Sequence, residues 1–203
     1  STANSDDGTC GSALPLDECT FREAANAALS GDSIDFGIPG TDAGCDVNGV
    51  CTIMPTNPVV FPDTKSNITI DGYSQTGASE NTLAVGNDAV LKVVIDMSNG
   101  LIGVDAIQIA GGGFVVKGVA FTLKSGDALE FTADTADGNT VRGNFVGVDV
   151  DGVNPVGSGG NGVFLNGGSD NLIGGETAAA RNVFAGSAAV SIPWPPPSSP
   201  GRR

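Results

Sequence analysis

One short phrase, written four times, limits what this chain can fold into. A small residue, an apolar residue, any residue and a second apolar residue appear in that order as Ala106-Ile107-Gln108-Ile109 and Ala128-Leu129-Glu130-Phe131. The phrase returns as Gly162-Val163-Phe164-Leu165 and Ala189-Val190-Ser191-Ile192, so successive starts lie 22, 34 and 27 residues apart. A companion phrase, apolar-any-glycine, follows the first three copies as Val116-Lys117-Gly118, Val141-Arg142-Gly143 and Ile173-Gly174-Gly175, with an earlier copy at Ile70-Asp71-Gly72. Recurrence on this scale is the mark of a repeat architecture. The units alternate with a period of two and are separated by Gly, Asn and Asp turns, which reads as strands. Strands that return in the same orientation stack in parallel at about 4.8 Å. The expected fold is therefore all-β, a solenoid of parallel strands. In it Ile107, Leu129, Val163 and Val190 form one core column and Ile109, Phe131, Leu165 and Ile192 the next. Asn144 and Asn182, matched in GNFVG and RNVFAG, are expected to start an asparagine ladder that satisfies turn backbone.

A solenoid leaves its first coil open unless something covers it. The stretch Thr20 to Gly31 supplies a helix for that role. Thr20 and Glu23 have capping-box spacing, Ala24, Ala25, Ala28 and Leu29 make an apolar face, and Gly31 stands where a C-terminal cap belongs. Residues 1–36 are assigned to an N-terminal disulfide loop and this capping α-helix, residues 37–192 to the coils, and 193–203 to a proline-rich tail. Within the coils, Gly37 to Pro62 reads as a turn-rich excursion. Gly147 to Asn161 is a long insertion of the kind that carries binding in repeat proteins. The five prolines after Ile192 cannot continue a strand ladder, which suggests a fragment whose last coil is unfinished. Such an edge is a template for self-association.

The chain carries 23 acidic and 9 basic residues, a net charge of −14. Nucleic acid and anionic membrane surfaces are therefore poor partners, and no apolar run approaches the roughly 20 residues of a membrane span. Histidine is absent, which removes imidazole bases, histidine triads and histidine–metal sites. Four cysteines fall in the first quarter of the chain. Their number and loop setting read as two disulfides and an oxidising compartment. The favoured pairing is Cys10 with Cys19 and Cys45 with Cys51, and a four-thiolate zinc site is the alternative.

The segment CTFREAA, Cys19 to Ala25, with DSIDF (Asp32 to Phe36), TIDGYSQTGA (Thr69 to Ala78), GNFVGVDVDGVNPVGSGGNGV (Gly143 to Val163) and NLIGGETAAARNVFAGS (Asn171 to Ser187), resembles secreted bacterial parallel β-helix proteins with a Cys-Ser-Leu-Arg-Glu-Ala signature near the N-terminus. The resemblance extends to about Ile192, and Thr20 and Phe21 depart from the signature. It implies a right-handed parallel β-helix exported to the cell surface or medium. It implies no catalytic residues.

Right-handed β-helices also include pectin-active enzymes, which makes acidic clusters candidate sites. Asp105 and Asp127 precede equivalent strands, and Asn161 stands at the next copy. Stacked at about 5 Å, two carboxylates repel, so one would be protonated, both solvated, or a cation held between them, and the separation is also that of retaining glycosidase pairs. They are the candidate catalytic residues and, with Asp149 and Asp151 of the calcium-loop-like DVDG, the candidate calcium ligands. The bland reading of all four is hydrated turn aspartates. Asp71, Lys117 and Arg142 line up in the apolar-any-glycine phrase, either as an ion-pair ladder or as a basic strip for acidic sugar. Asn67-Ile68-Thr69 is a glycosylation sequon by letter, and Tyr73 reads as loop packing.

The expected function is an extracellular or cell-surface structural or adhesive module, with carbohydrate or calcium as candidate ligands and no required cofactor. A calcium-assisted polysaccharide lyase or glycoside hydrolase is the alternative.

Overall fold

The computed structural model describes residues 19–98, 102–122, 125–157, 159–186 and 188–192. Three strands make each turn of the chain. The first coil holds β1 (Ser33–Asp35), β2 (Cys51–Ile53) and β3 (Val59–Phe61), and the second holds β4 (Thr69–Asp71), β5 (Val93–Asp96) and β6 (Ile107–Ile109). The third holds β7 (Val115–Lys117), β8 (Val119–Thr122) and β9 (Leu129–Phe131). The fourth holds β10 (Thr140–Arg142), β11 (Phe145–Val146) and β12 (Asn161–Leu165), and the fifth β13 (Leu172–Ile173), β14 (Val183–Phe184) and β15 (Ala188–Ser191). Every third strand pairs in parallel, giving three five-stranded sheets. Sheet A contains the first strand of each coil, sheet B the second and sheet C the third. The chain is a parallel β-helix.

The register is the one the phrases predict. Ile107 pairs with Leu129 and Leu129 with Val163, while Val163 pairs with Val190. Ile70, Val116, Val141 and Ile173 form the matching column of sheet A. These columns extend into the first coil, where Ile34 lies beside Ile70 and Val59 and Phe61 lie beside Ile107 and Ile109. Gly37 to Pro62 is thus more than an excursion: it contains two of the first coil's strands, too short and too interrupted by proline to show an alternating pattern. Inward positions in the middle coils are fully buried, among them Ile107, Ile109, Leu129, Phe131 and Val163. In the fifth coil Val190 and Ile192 are 39% and 61% exposed.

Helix α1 (Phe21–Ala27) packs against β3 and covers the first coil. Both halves of the capping box form, with Glu23 N donating to Thr20 Oγ1 at 3.2 Å and Thr20 N to Glu23 Oε2 at 2.7 Å. Phe21 is buried with its ring 5.8 Å from that of Phe36. Arg22 donates to the carbonyls of Asn57 and Pro58, both at 2.7 Å. The helix ends earlier than the sequence suggests, with its C-cap at Ala28 rather than Gly31. Lys65 explains the early stop, because its Nζ takes the carbonyls of Ala25 and Asn26 at 2.6 and 2.8 Å. Leu29 therefore lies outside the helix and is 71% exposed rather than part of its apolar face.

Cys45 and Cys51 are joined by a disulfide, which rules out the four-thiolate zinc site. Cys19 is also disulfide-bonded. Its expected partner Cys10, like the tail from residue 193 onward, lies outside the described residues.

The outward side of sheet B carries a second apolar cluster. Val94, Ala120 and Phe145 are buried there with Leu91 and Val148, and Tyr73, Ala89 and Val150 pack against them. These partners come from the long connection between β4 and β5 and from the insertion after β11. The Tyr73 hydroxyl spans coils to donate to the Gly143 carbonyl at 2.7 Å. Burial, with the Glu80 carboxylate nearby, pushes that hydroxyl up to about 12, so it stays a donor. Gly143 sits at φ +65, and a Cβ there would come within 2.7 Å of the Tyr73 oxygen, so the position admits only glycine without displacement.

Asparagines hold the turns. Asn144 Oδ1 accepts from Val119 N at 3.0 Å, and its Nδ2 donates to the Val116 carbonyl at 2.8 Å. Asn182 repeats the pattern one coil on, accepting from Asn144 N at 2.9 Å and donating to the Val141 carbonyl at 2.8 Å. A second ladder, absent from the sequence reading, runs through Asn139 and Asn171 and serves Phe114 N and Asn139 N, both at 2.8 Å.

Candidate functional site

The turns entering sheet C bring Asp105, Asp127 and Asn161 into one line, as their spacing predicts. The line is a chain of hydrogen bonds. Asp105 Oδ1 accepts from Asp127 N at 2.7 Å. Asp127 Oδ1 accepts from Asn161 N at 2.6 Å and from Asn161 Nδ2 at 2.8 Å. Each carboxylate thereby satisfies a backbone N–H of the following coil, whereas the asparagine ladders at the other corners serve the preceding one. The bland reading of hydrated turn aspartates falls short here, because these carboxylates are half-buried structural acceptors.

Two residues that the sequence reading left out complete the cluster. The outward column of sheet C runs Val60, Gln108, Glu130, Phe164. Gln108 Nε2 donates to Asp105 Oδ2 at 2.9 Å and to Glu130 Oε2 at 3.0 Å, and Asn166 Nδ2 donates to Glu130 Oε1 at 3.1 Å. Gln108 and Glu130 are the "any" positions of the repeated phrase. Period-two alternation points them outward beside one another, and that signal was available in the sequence. Burial raises the Asp127 carboxyl above its ordinary value, with the Asp105 charge adding to the rise and the Asn161 hydrogen bonds opposing it.

The DVDG aspartates lie in a different place. Residues 147–156 form a small hairpin, closed by the antiparallel bridge of Val148 with Pro155. Within it Asp149 folds onto its own loop. Its Oδ1 accepts from Val153 N at 3.0 Å and Asn154 N at 3.2 Å, and its Oδ2 accepts from Asn154 Nδ2 at 2.6 Å. Those bonds, led by the Asn154 side chain, hold its carboxyl below the ordinary value. Asp151 is exposed on the same loop. Asp149 thus does the work of a turn aspartate. Among the described residues no group of three or more acidic or cysteine side chains is placed to hold a metal ion.

The charged column of sheet A forms in register but pairs differently from a simple ladder. Lys117 Nζ meets Asp71 Oδ2 at 2.6 Å, while Arg142 turns to Glu80 at 3.3 Å. The remaining described cations are also engaged. Arg22 and Lys65 clamp α1 as above, and Lys92 donates to the Asn48 carbonyl at 2.7 Å. Arg181 grips the loop between β4 and β5 through the carbonyls of Leu83, Ala84 and Gly86. All six described Lys and Arg side chains are therefore bound to carbonyls or carboxylates of this chain. A strip of free cations for an acidic sugar is not formed among the described residues.

No family model matches the chain, and no curated protein or solved structure matches it. Among the described residues no helix is long and apolar enough to cross a membrane.

Proposed function

We propose that this chain is an extracellular structural or adhesive β-helix module without catalytic activity of its own. The observation that carries the proposal is the use of the two candidate catalytic carboxylates as backbone acceptors, Asp105 for Asp127 N and Asp127 for Asn161 N. Asp105 engages both oxygens within the chain, Oδ1 with Asp127 N and Oδ2 with the Gln108 amide, and Asp127 Oδ1 takes both the Asn161 N–H and its side-chain amide, so each carboxylate ties one coil to the next. The disulfide supports an oxidising compartment. The engagement of every described cation favours a neutral glycan or a protein surface over an acidic polysaccharide as partner. The resemblance to exported parallel β-helix proteins points the same way.

Incubation of the purified chain with pectin and with alginate tests this reading. The expected outcome is no unsaturated product with or without calcium, and the same melting temperature in calcium and in chelator. Polysaccharide degradation that disappears in Asp105→Ala or Asp127→Ala would replace the module by the calcium-assisted enzyme.

A further inference from the structure

A cleft of about 510 Å³ opens where the fifth coil meets the connection between β4 and β5. Small-molecule sites span about 300–1,000 Å³. The two walls come from parts of the chain 95 or more residues apart, yet four hydrogen bonds pin them together. Asn81 Nδ2 donates to the Ala178 carbonyl at 2.9 Å. Arg181 donates to the carbonyls of Leu83 at 3.2 Å, Ala84 at 2.9 Å and Gly86. A cleft held open before its ligand arrives has less order to gain on binding.

Glu176 and Thr177 line the cleft from exposed positions. Neither the Glu176 carboxylate nor the Thr177 hydroxyl has a partner among the described residues, in contrast with the carboxylates of Asp105 and Asp127. Beside them the backbone is glycine. A Cβ on Gly174 would meet nothing closer than the Ala180 carbonyl oxygen at 3.9 Å, so the space over it is open. Two lining residues are charged, Glu176 and Arg181, and they cancel. The Arg181 guanidinium is already engaged across the cleft, so a uronic acid would meet a free carboxylate and no free cation. One carboxylate also falls far short of the roughly six to eight oxygens of a calcium site. A free acceptor, a hydroxyl that can donate or accept, and aliphatic lining from Ile173 and Ala180 match a sugar ring, with hydroxyls at its edge and C–H groups on its faces.

Building on the reading of the chain as a non-catalytic adhesive module, we propose that this cleft binds one neutral sugar ring of a glycan, with Glu176 accepting from its hydroxyls and Thr177 bonding beside it. A concave site of this size suits one ring better than a protein face, which needs roughly 800 Å² on each side. None of the described lining residues is aromatic, so the dissociation constant is expected on the order of 1 mM.

The test is titration of the nitrogen-15-labelled whole chain with three neutral probes, cellohexaose, mannohexaose and N-acetylchitohexaose, and with trigalacturonate as the acidic one. At least one neutral probe is expected to move the amides of Gly174 to Ala178 and of Thr82 to Ala84 saturably, while trigalacturonate does not. Glu176→Gln is expected to weaken that binding about tenfold through loss of a charge-assisted hydrogen bond. Asp63→Asn, which removes an exposed carboxylate after β3, is expected to leave it unchanged. No saturable shift with any neutral probe overturns the proposal, as do shifts confined to residues away from the cleft or equal binding of trigalacturonate. Equal affinity in Glu176→Gln and Asp63→Asn overturns it as well, and the wild-type titration alone decides if a variant does not fold. New reducing-end signals in the same samples would overturn the non-catalytic reading alone, since the amide shifts decide the cleft separately.

Discussion

The outward sides of sheets B and C are built on the same coils yet meet the surroundings differently. Their inward sides are alike, columns of Val, Ile, Leu and Phe shared in one core. Outside, sheet B presents Val94, Ala120 and Phe145, which are buried under two long connections. Sheet C presents Gln108, Glu130 and Phe164 in half-exposed positions, the first two tied to each other and to turn residues by hydrogen bonds. A parallel β-helix thus has one obligatory interior and several faces whose character depends on what the connections do. Where a loop returns over the sheet the face becomes a second core, and where none does among the described residues it stays half-exposed.

Phe145 and Phe164 sharpen that contrast, since both are outward aromatics of the fourth coil. Phe145→Ala removes a ring that is 1% exposed and is expected to cost about 3–5 kcal/mol. Phe164→Ala removes a half-exposed ring and is expected to cost well under half of that. Urea unfolding of the two variants measures the difference, and equal costs would mean that the long connections do not seal sheet B. Asn144→Ala strikes the corner between sheets A and B. It leaves Val119 N without its side-chain acceptor and takes one donor from the Val116 carbonyl, for roughly 1–3 kcal/mol for the amide left unsatisfied. Amide exchange at Val119 should accelerate in that variant while exchange in β2 stays slow. The smallest effect is expected on sheet A. Lys117→Met breaks a half-buried ion pair with Asp71, and urea unfolding should show a loss of about 1 kcal/mol, the upper end for a pair at the solvent boundary. A larger loss would give sheet A a charge network as consequential as the polar cluster of sheet C.

Much of this architecture is legible in the residues. The columns Ile107–Leu129–Val163 and Ile70–Val116–Val141 follow from period-two alternation repeated at a common spacing, because a slip of one residue would turn each apolar set outward. The helix cap is legible as well, since Thr20 and Glu23 satisfy one another locally. The first coil is harder to see. Cys51-Thr52-Ile53 and Val59-Val60-Phe61 are three-residue strands flanked by prolines, and only their pairing with β5 and β6 identifies them. Of the candidate site, spacing aligned Asp105 with Asp127. It did not reveal that each carboxylate accepts the next coil's amide, nor that Gln108 links Asp105 to Glu130, because the bonds that cross between coils join residues 22 or more apart.

The sequence by itself determined the coil. Short-range alternation, glycine and asparagine turns and a capping box are local signals, and their repetition leaves one economical way to bury the apolar residues. The tertiary structure alone decided what each face became. Tyr73 reaches the carbonyl of Gly143, 70 residues further along the chain, and Lys65 ends a helix begun at Phe21. Such contacts depend on where long connections land. That is fixed by the shape and unsatisfied polar groups of the finished stack, which no local stretch of the chain contains.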